Sequence, residues 1–136
     1  MTALTRDRAT QRRSGDIWQD PVAAATTIYA GSIVCLDAAG NLVPGSTATT
    51  LKVRGRAEEM VDNASGLAGD KTCRSRRGIH AFENSAAADE ITRADIGNDA
   101  WIVDDQTLAK TDGGATRSKA GRIVDLDECG VWIEFA

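Results

Sequence analysis

The sequence predicts a mostly β protein: a compact β-barrel or β-sandwich of about seven short strands, with at most one short helix and an extended N-terminal arm. Three observations lead there. From Ile17 onward, short apolar stretches are separated by Gly, Asn, Asp and Pro, the punctuation of tight turns between strands. Two segments, 51–57 and 131–135, alternate apolar and polar residues with the two-residue period of a half-buried strand. The first fifteen residues are polar and carry no periodic apolar face, so they cannot join a core. This divides the chain into a flexible basic arm, 1–15, and a single β-rich domain, 16–136.

The elements follow in order. Ser32 to Asp37 is a strand that turns at Ala38-Ala39-Gly40-Asn41 and returns through Leu42-Val43 towards Pro44. Gly40 and Asn41 tolerate positive φ, which makes the reversal cheap. In 51–57 the spacing places Leu51, Val53, Gly55 and Ala57 on one face and Lys52, Arg54 and Arg56 on the other. Lys71 to Phe82 is expected as one strand, bent or bulged near Gly78. Asn84 to Asp99 is the only helical place, with Ser85 to Glu90 rich in helix formers and a single turn at Thr92 to Ile96. Trp101 to Asp104 and Thr107 to Thr111 form a second hairpin about Asp105-Gln106. Ala120 to Leu126 is the penultimate strand and Val131 to Phe135 the last, with Val131, Ile133 and Phe135 inward.

Composition narrows the function classes. At 136 residues one domain is expected, and 42% hydrophobic with 26% charged residues is ordinary for a globular chain. No apolar run approaches the roughly 20 residues of a spanning helix, and no h-region follows the N-terminal arginines, so neither a membrane segment nor a secretory signal is expected. Cys35, Cys73 and Cys129 are widely spaced and read as small buried apolar residues; a metal site with His80 would need a tight ligand pair that is missing. At least one of Trp18, Trp101 and Trp132 is expected in the core.

No catalytic, cofactor or metal residue is expected. His80 has no nucleophile motif beside it, and the carboxylate pairs Asp104-Asp105 and Asp125/Asp127 flank turns, where aspartate serves the backbone. The glycines build no phosphate-cradling loop. Charge is more informative. The net charge is −4, but residues 1–80 hold eleven Lys and Arg against eight acids, whereas 81–136 hold five against twelve. Such a split suits complementary contacts between copies. The candidate partner-binding residues are therefore Arg6, Arg8, Arg12 and Arg13 in the arm, the basic strand residues Lys52, Arg54, Arg56, Arg74 and Arg76 with Arg77 beside them, and Trp18 as an aromatic anchor.

Several segments together resemble a known group: Asp95-Ile-Gly-Asn-Asp-Ala-Trp-Ile-Val-Asp-Asp-Gln-Thr-Leu-Ala-Lys-Thr111, Ala120-Gly-Arg-Ile-Val-Asp125, Gly130-Val-Trp-Ile133, and the opening Ala30 to Val34 with Gly40 to Val43. They are similar to the capsid decoration (cement) proteins of Mu-like and related long-tailed bacteriophages, over about two thirds of the chain. The resemblance implies a β-rich protein, often a trimer, on the outside of the capsid near threefold positions, clamping neighbouring major capsid subunits. It implies a virion location after synthesis in the host cytoplasm, no membrane, no specific nucleic acid, and no particular contact residue. A minor tail, fibre-base or head-completion protein shares the same β texture. Nucleic-acid binding by the arm and hydrolysis of cell-wall sugar find less in the sequence.

Overall fold

Alternation of apolar and polar residues drives most of the chain beyond the arm into short strands, and the turns decide which sheet each joins. The computed structural model describes residues 2–135. Ile33–Leu36 (β3) lies beside Leu42–Pro44 (β4) and Lys52–Ala57 (β5). Thr72–Arg76 (β7) and Ile17–Pro21 (β1) extend this sheet, in the order β1-β7-β5-β3-β4. Thr26–Ile28 (β2) and Val61–Asn63 (β6) pair as a separate ribbon. The remaining strands are Ile79–Asn84 (β8), Asp99–Ile102 (β9), Thr107–Ala109 (β10), Lys119–Asp127 (β11) and Gly130–Phe135 (β12), and they close into a five-stranded barrel in the order β10-β8-β12-β11-β9. The mostly β class and the barrel agree with the sequence; the described residues hold twelve strands rather than about seven, because several are only three residues long.

Two turns work as their aspartates predict, and Asp37 plays the same part in a third. Asp37 Oδ1 accepts from the amides of Ala39 and Asn41, Asp104 Oδ1 from those of Gln106 and Thr107, and Asp127 Oδ1 from that of Cys129. Each satisfies turn amides that the ladder cannot reach. The last strand alternates as expected, with Val131, Ile133 and Phe135 buried and Glu134 exposed. Together with Phe82, Ile102, Leu108 and Ile123 they fill the barrel. Gly121 is where β11 passes between β9 and β12; a Cβ there would run into the Glu134 carbonyl.

Two expectations about the strands are overturned. Residues 71–82 are not one bent strand: β7 ends at Arg76 and β8 begins at Ile79 in the other sheet, with Gly78 between them at φ 106°. A change of sheet within two residues needs a positive φ that glycine adopts without strain. The alternation of 51–57 also breaks. Val34 pairs Gly55 while Cys35 pairs Val53, so Arg54 is an extra residue, a β-bulge. Val53 therefore packs on the barrel cluster, whereas Ala57 joins a second cluster on the opposite face.

Between β8 and β9 no α-helix forms. Ala87–Asp89 and Arg93–Asp95 are single 3-10 turns, the second closed by Asp95 accepting from the Thr92 amide and hydroxyl. Between them Ile91 is buried into the barrel cluster. Asn84 holds it there, donating to its carbonyl at 2.8 Å and accepting from its amide at 2.9 Å. A plug fixed at one residue leaves no length for a helix.

Strand β3 joins two cores. Ile33 and Cys35 belong to the barrel cluster, and Val34 to the cluster of Val22, Ile28, Leu42, Val61 and Cys73 under the β2–β6 ribbon. Truncating Ile133 to Ala should cost about 3 kcal/mol and Val34 to Ala about 2 kcal/mol. Both should shift one cooperative urea transition, followed by tryptophan fluorescence and by circular dichroism; two separated transitions would show that the cores fold independently.

Candidate docking surface

Strands β5 and β7 are neighbours, and their register sets Arg56 directly opposite Arg76. Like charges facing one another across a ladder are unfavourable unless a counter-ion sits between them. Glu58 is that counter-ion: its Oε1 accepts from Arg56 at 2.7 Å and from Arg76 at 3.0 Å. The hydrogen bond from Arg56, aided by Arg76, holds the Glu58 carboxyl below its ordinary value. Arg74 is paired in the same way with Glu59 at 2.8 Å, and its hydrogen bond lowers that carboxyl too. Across the sheet, Arg54 forks onto both oxygens of Asp20, at 2.8 and 3.0 Å, and lies 4.4 Å from the Trp18 ring.

The sequence-predicted basic strands are thus brought together, but Arg54, Arg56, Arg74 and Arg76 each carry a carboxylate partner. Lys52 is exposed at the start of β5. Residues 16–80 contain seven Lys and Arg and seven acids, so the positive charge of the first eighty residues is that of the arm alone. Glu58 and Glu59 are missed by reasoning that stops at the strand, although they follow it directly; Asp20 gives no such signal, because its partner is 34 residues away.

The arm is different. Residues 2–14 are exposed and lie outside every strand. Among the described residues, Arg6, Arg8, Arg12 and Arg13 make no side-chain hydrogen bond or ion pair; Arg13 borders a hollow beside Ile17, Trp18 and Arg74. The nearby β1 is an edge strand. Large apolar side chains are exposed at Ile17, Tyr29, Met60, Leu67 and Ile79.

The other candidates have structural roles or unexpected places. Cys35 and Cys73 are buried, and desolvation pushes their thiols up to about 12 and about 11, as inert core cysteines require. Cys129, expected in the core, is exposed in the turn between β11 and β12. His80 packs 5.7 Å from Phe135 with Nε2 3.1 Å from the Arg77 carbonyl, and burial lowers its pKa. None of the tryptophans enters either core cluster: all three are half-buried. Trp132 donates Nε1 to Asp127 at 2.8 Å, and Trp18 stacks under Arg54. Among the described residues, no group of three or more His, Cys, Asp and Glu is arranged to hold a metal ion, and no helix is long and apolar enough to cross a membrane.

Two predictions test this charge arrangement. The Glu58 carboxyl is depressed below 4.5 in the folded state, so the folded protein binds fewer protons than the unfolded chain. Its contribution is complete above about pH 4.5 and is lost as pH falls through the lower folded pKa. Glu58→Gln should therefore reduce stability at neutral pH and flatten its acid loss, measured as urea midpoints between about pH 7 and pH 3; parallel curves would exclude the Glu58 bridge. Asp20→Ala, which leaves the half-buried Arg54 without its carboxylate, should cost about 2 kcal/mol and alter Trp18 emission. No family model matches the chain, and neither a curated protein nor a solved structure matches it.

Proposed function

We propose that the protein is a structural virion component that decorates the outside of a tailed-phage capsid as a homo-oligomer, a trimer, and cements contacts between major capsid subunits. The observation that carries this reading is the division of the chain into a two-core β body and an exposed arm whose four arginines have no partner within the described chain. A cationic segment of this kind has its charge available for a surface outside its own fold, where ordering entropy is offset by new contacts. The body is suited to bearing load: a closed barrel has no free edges, and its neighbouring sheet shares a strand with both cores.

The segments that resemble decoration proteins lie in β9, β10, β11 and β12, four of the barrel's five strands, and in the β3–β4 hairpin. The resemblance is thus carried mainly by barrel-building residues, and the arm has its charge available for contacts that hold copies together on the shell. Repeated weak contacts from a trimer would hold a shell far more tightly than one contact.

The test is the solution mass by light scattering, followed by mixing with capsid shells that lack the protein. A trimer that co-sediments at about one copy per major capsid subunit is expected, with binding reduced by removal of residues 2–15. A monomer that ignores shells would overturn the reading and favour a tail, fibre-base or head-completion role.

A further inference from the structure

Charge in this protein is divided between arm and barrel, not between two halves of a fold. The arm holds four arginines against Asp7, residues 16–80 are balanced, and residues 81–136 carry twelve acids against five cations. Some barrel acids are already satisfied: Asp89 by Arg117, Asp99 by Lys119 and Asp125 by Arg93. Glu83, Asp104, Asp105 and Glu128 have no cation within ion-pair distance among the described residues.

Of the barrel acids without a cation, Asp105 and Glu83 line one trough. The β9–β10 turn is stitched to the sheet on one side, where the Ile33 amide donates to the Asp105 carbonyl at 2.8 Å, and to the barrel on the other, where the Glu83 amide donates to the Gln106 carbonyl at 2.8 Å. Two adjoining hollows, of about 250 and 180 Å³, flank this turn and share Gly31 and Gln106. Tyr29, 61% exposed, and Asp105 line the first; Glu83 and Cys129 line the second. Asp104 adjoins Asp105, and Glu128 adjoins Cys129. The Asp105 carboxyl is raised, first by burial and then by the Asp104 charge, and a cation beside it would offset this by stabilising the charged form. Carboxylates beside an exposed aromatic ring are a setting in which a guanidinium can hydrogen-bond in its plane and stack on its face.

We propose that the trough between Tyr29 and Glu83 is the receptor for the arginine arm, Arg6, Arg8, Arg12 and Arg13, of a second copy of this chain. The inference rests on the self-docking part of the proposed function and gives it a geometry. Donor and receptor are different surfaces of one molecule, so the contact is heterologous, and where its rotation closes, repetition makes a ring in which every copy gives one arm and accepts one. The sheet cannot serve as receptor in the same way, because Asp20, Glu58 and Glu59 already hold its own arginines. Arg6 and Arg8, two residues apart, fall on one side of an extended chain and can address the trough together.

The experiment uses two variants of the full chain, one lacking residues 2–15 and one carrying Glu83→Lys with Asp105→Lys, each checked for unchanged circular dichroism and urea midpoint. Light scattering should show an oligomer for the natural chain, monomers for each variant alone, and a one-to-one heterodimer for their mixture, because one supplies the receptor and the other the arm. That heterodimer should bind about tenfold or more weakly at about 0.5 M NaCl than at about 0.05 M. If the lysine variant fails to fold, an arm peptide of residues 2–15 titrated onto the arm-deleted protein replaces it, with Glu83→Gln/Asp105→Asn expected to lose most of the binding. Variants that remain oligomeric would overturn the arm-and-trough contact while leaving self-docking intact through another surface. A natural chain that is monomeric at every concentration would overturn both, and the same holds if the arm folds back onto its own trough.

Discussion

The burial of β3 on both faces is the constraint on which the rest of the structure depends. Ile33 and Cys35 are fully enclosed on the barrel side, and Val34 is fully enclosed on the other. A strand buried on both faces needs a layer above and a layer below. The barrel supplies one, and the β2–β6 ribbon with Val22, Leu42 and Cys73 supplies the other. The contacts that seat β3 are polar as well. Its first amide donates to Asp105 in the barrel, and Ser118 of the barrel takes the Leu51 amide and donates to the Ala48 carbonyl, tying the loop after β4 down.

Barrel closure then accounts for the local irregularities. Five strands can close only if neighbouring chains approach where the sheet curves, and Gly121 and the register shifts of β11 lie at that place. Ile91 is held in the barrel cluster by two hydrogen bonds with one asparagine, which donates to its carbonyl and accepts from its amide. The bulge at Arg54 re-aims β5 so that Val53 serves the barrel core and Ala57 the second core, and it turns Arg54 towards Asp20 and Trp18.

The same geometry sorts the charges. Pairing of β5 with β7 would place two arginines face to face, and Glu58 turns that liability into a three-residue bridge. With the sheet neutralised internally, the excess cations are left on the arm and the excess anions on the barrel. In the proposed self-docking this separation would set one orientation, since complementary patches guide encounter and like patches oppose the alternatives.

Much of this was legible in the residues themselves. The β class, the hairpins at Asp37 and Asp104 and the inward face of Val131, Ile133 and Phe135 follow from short-range rules of turn chemistry and two-residue periodicity, which act within a few residues. The trough could not be read in this way, because Tyr29, Glu83, Asp105 and Cys129 are scattered along the chain and meet only when the barrel closes. Nor could the exposure of Cys129, the half-burial of all three tryptophans or the partners of the sheet arginines. Sequence by itself determined the β class, the longer strands and where charge is carried; tertiary structure alone decided how 71–82 divides, which strands are neighbours and which charges are cancelled. The reason is physical: period and turn chemistry are local, whereas register, sheet exchange at Gly78 and the bulge at Arg54 are settled by packing between residues far apart in the chain.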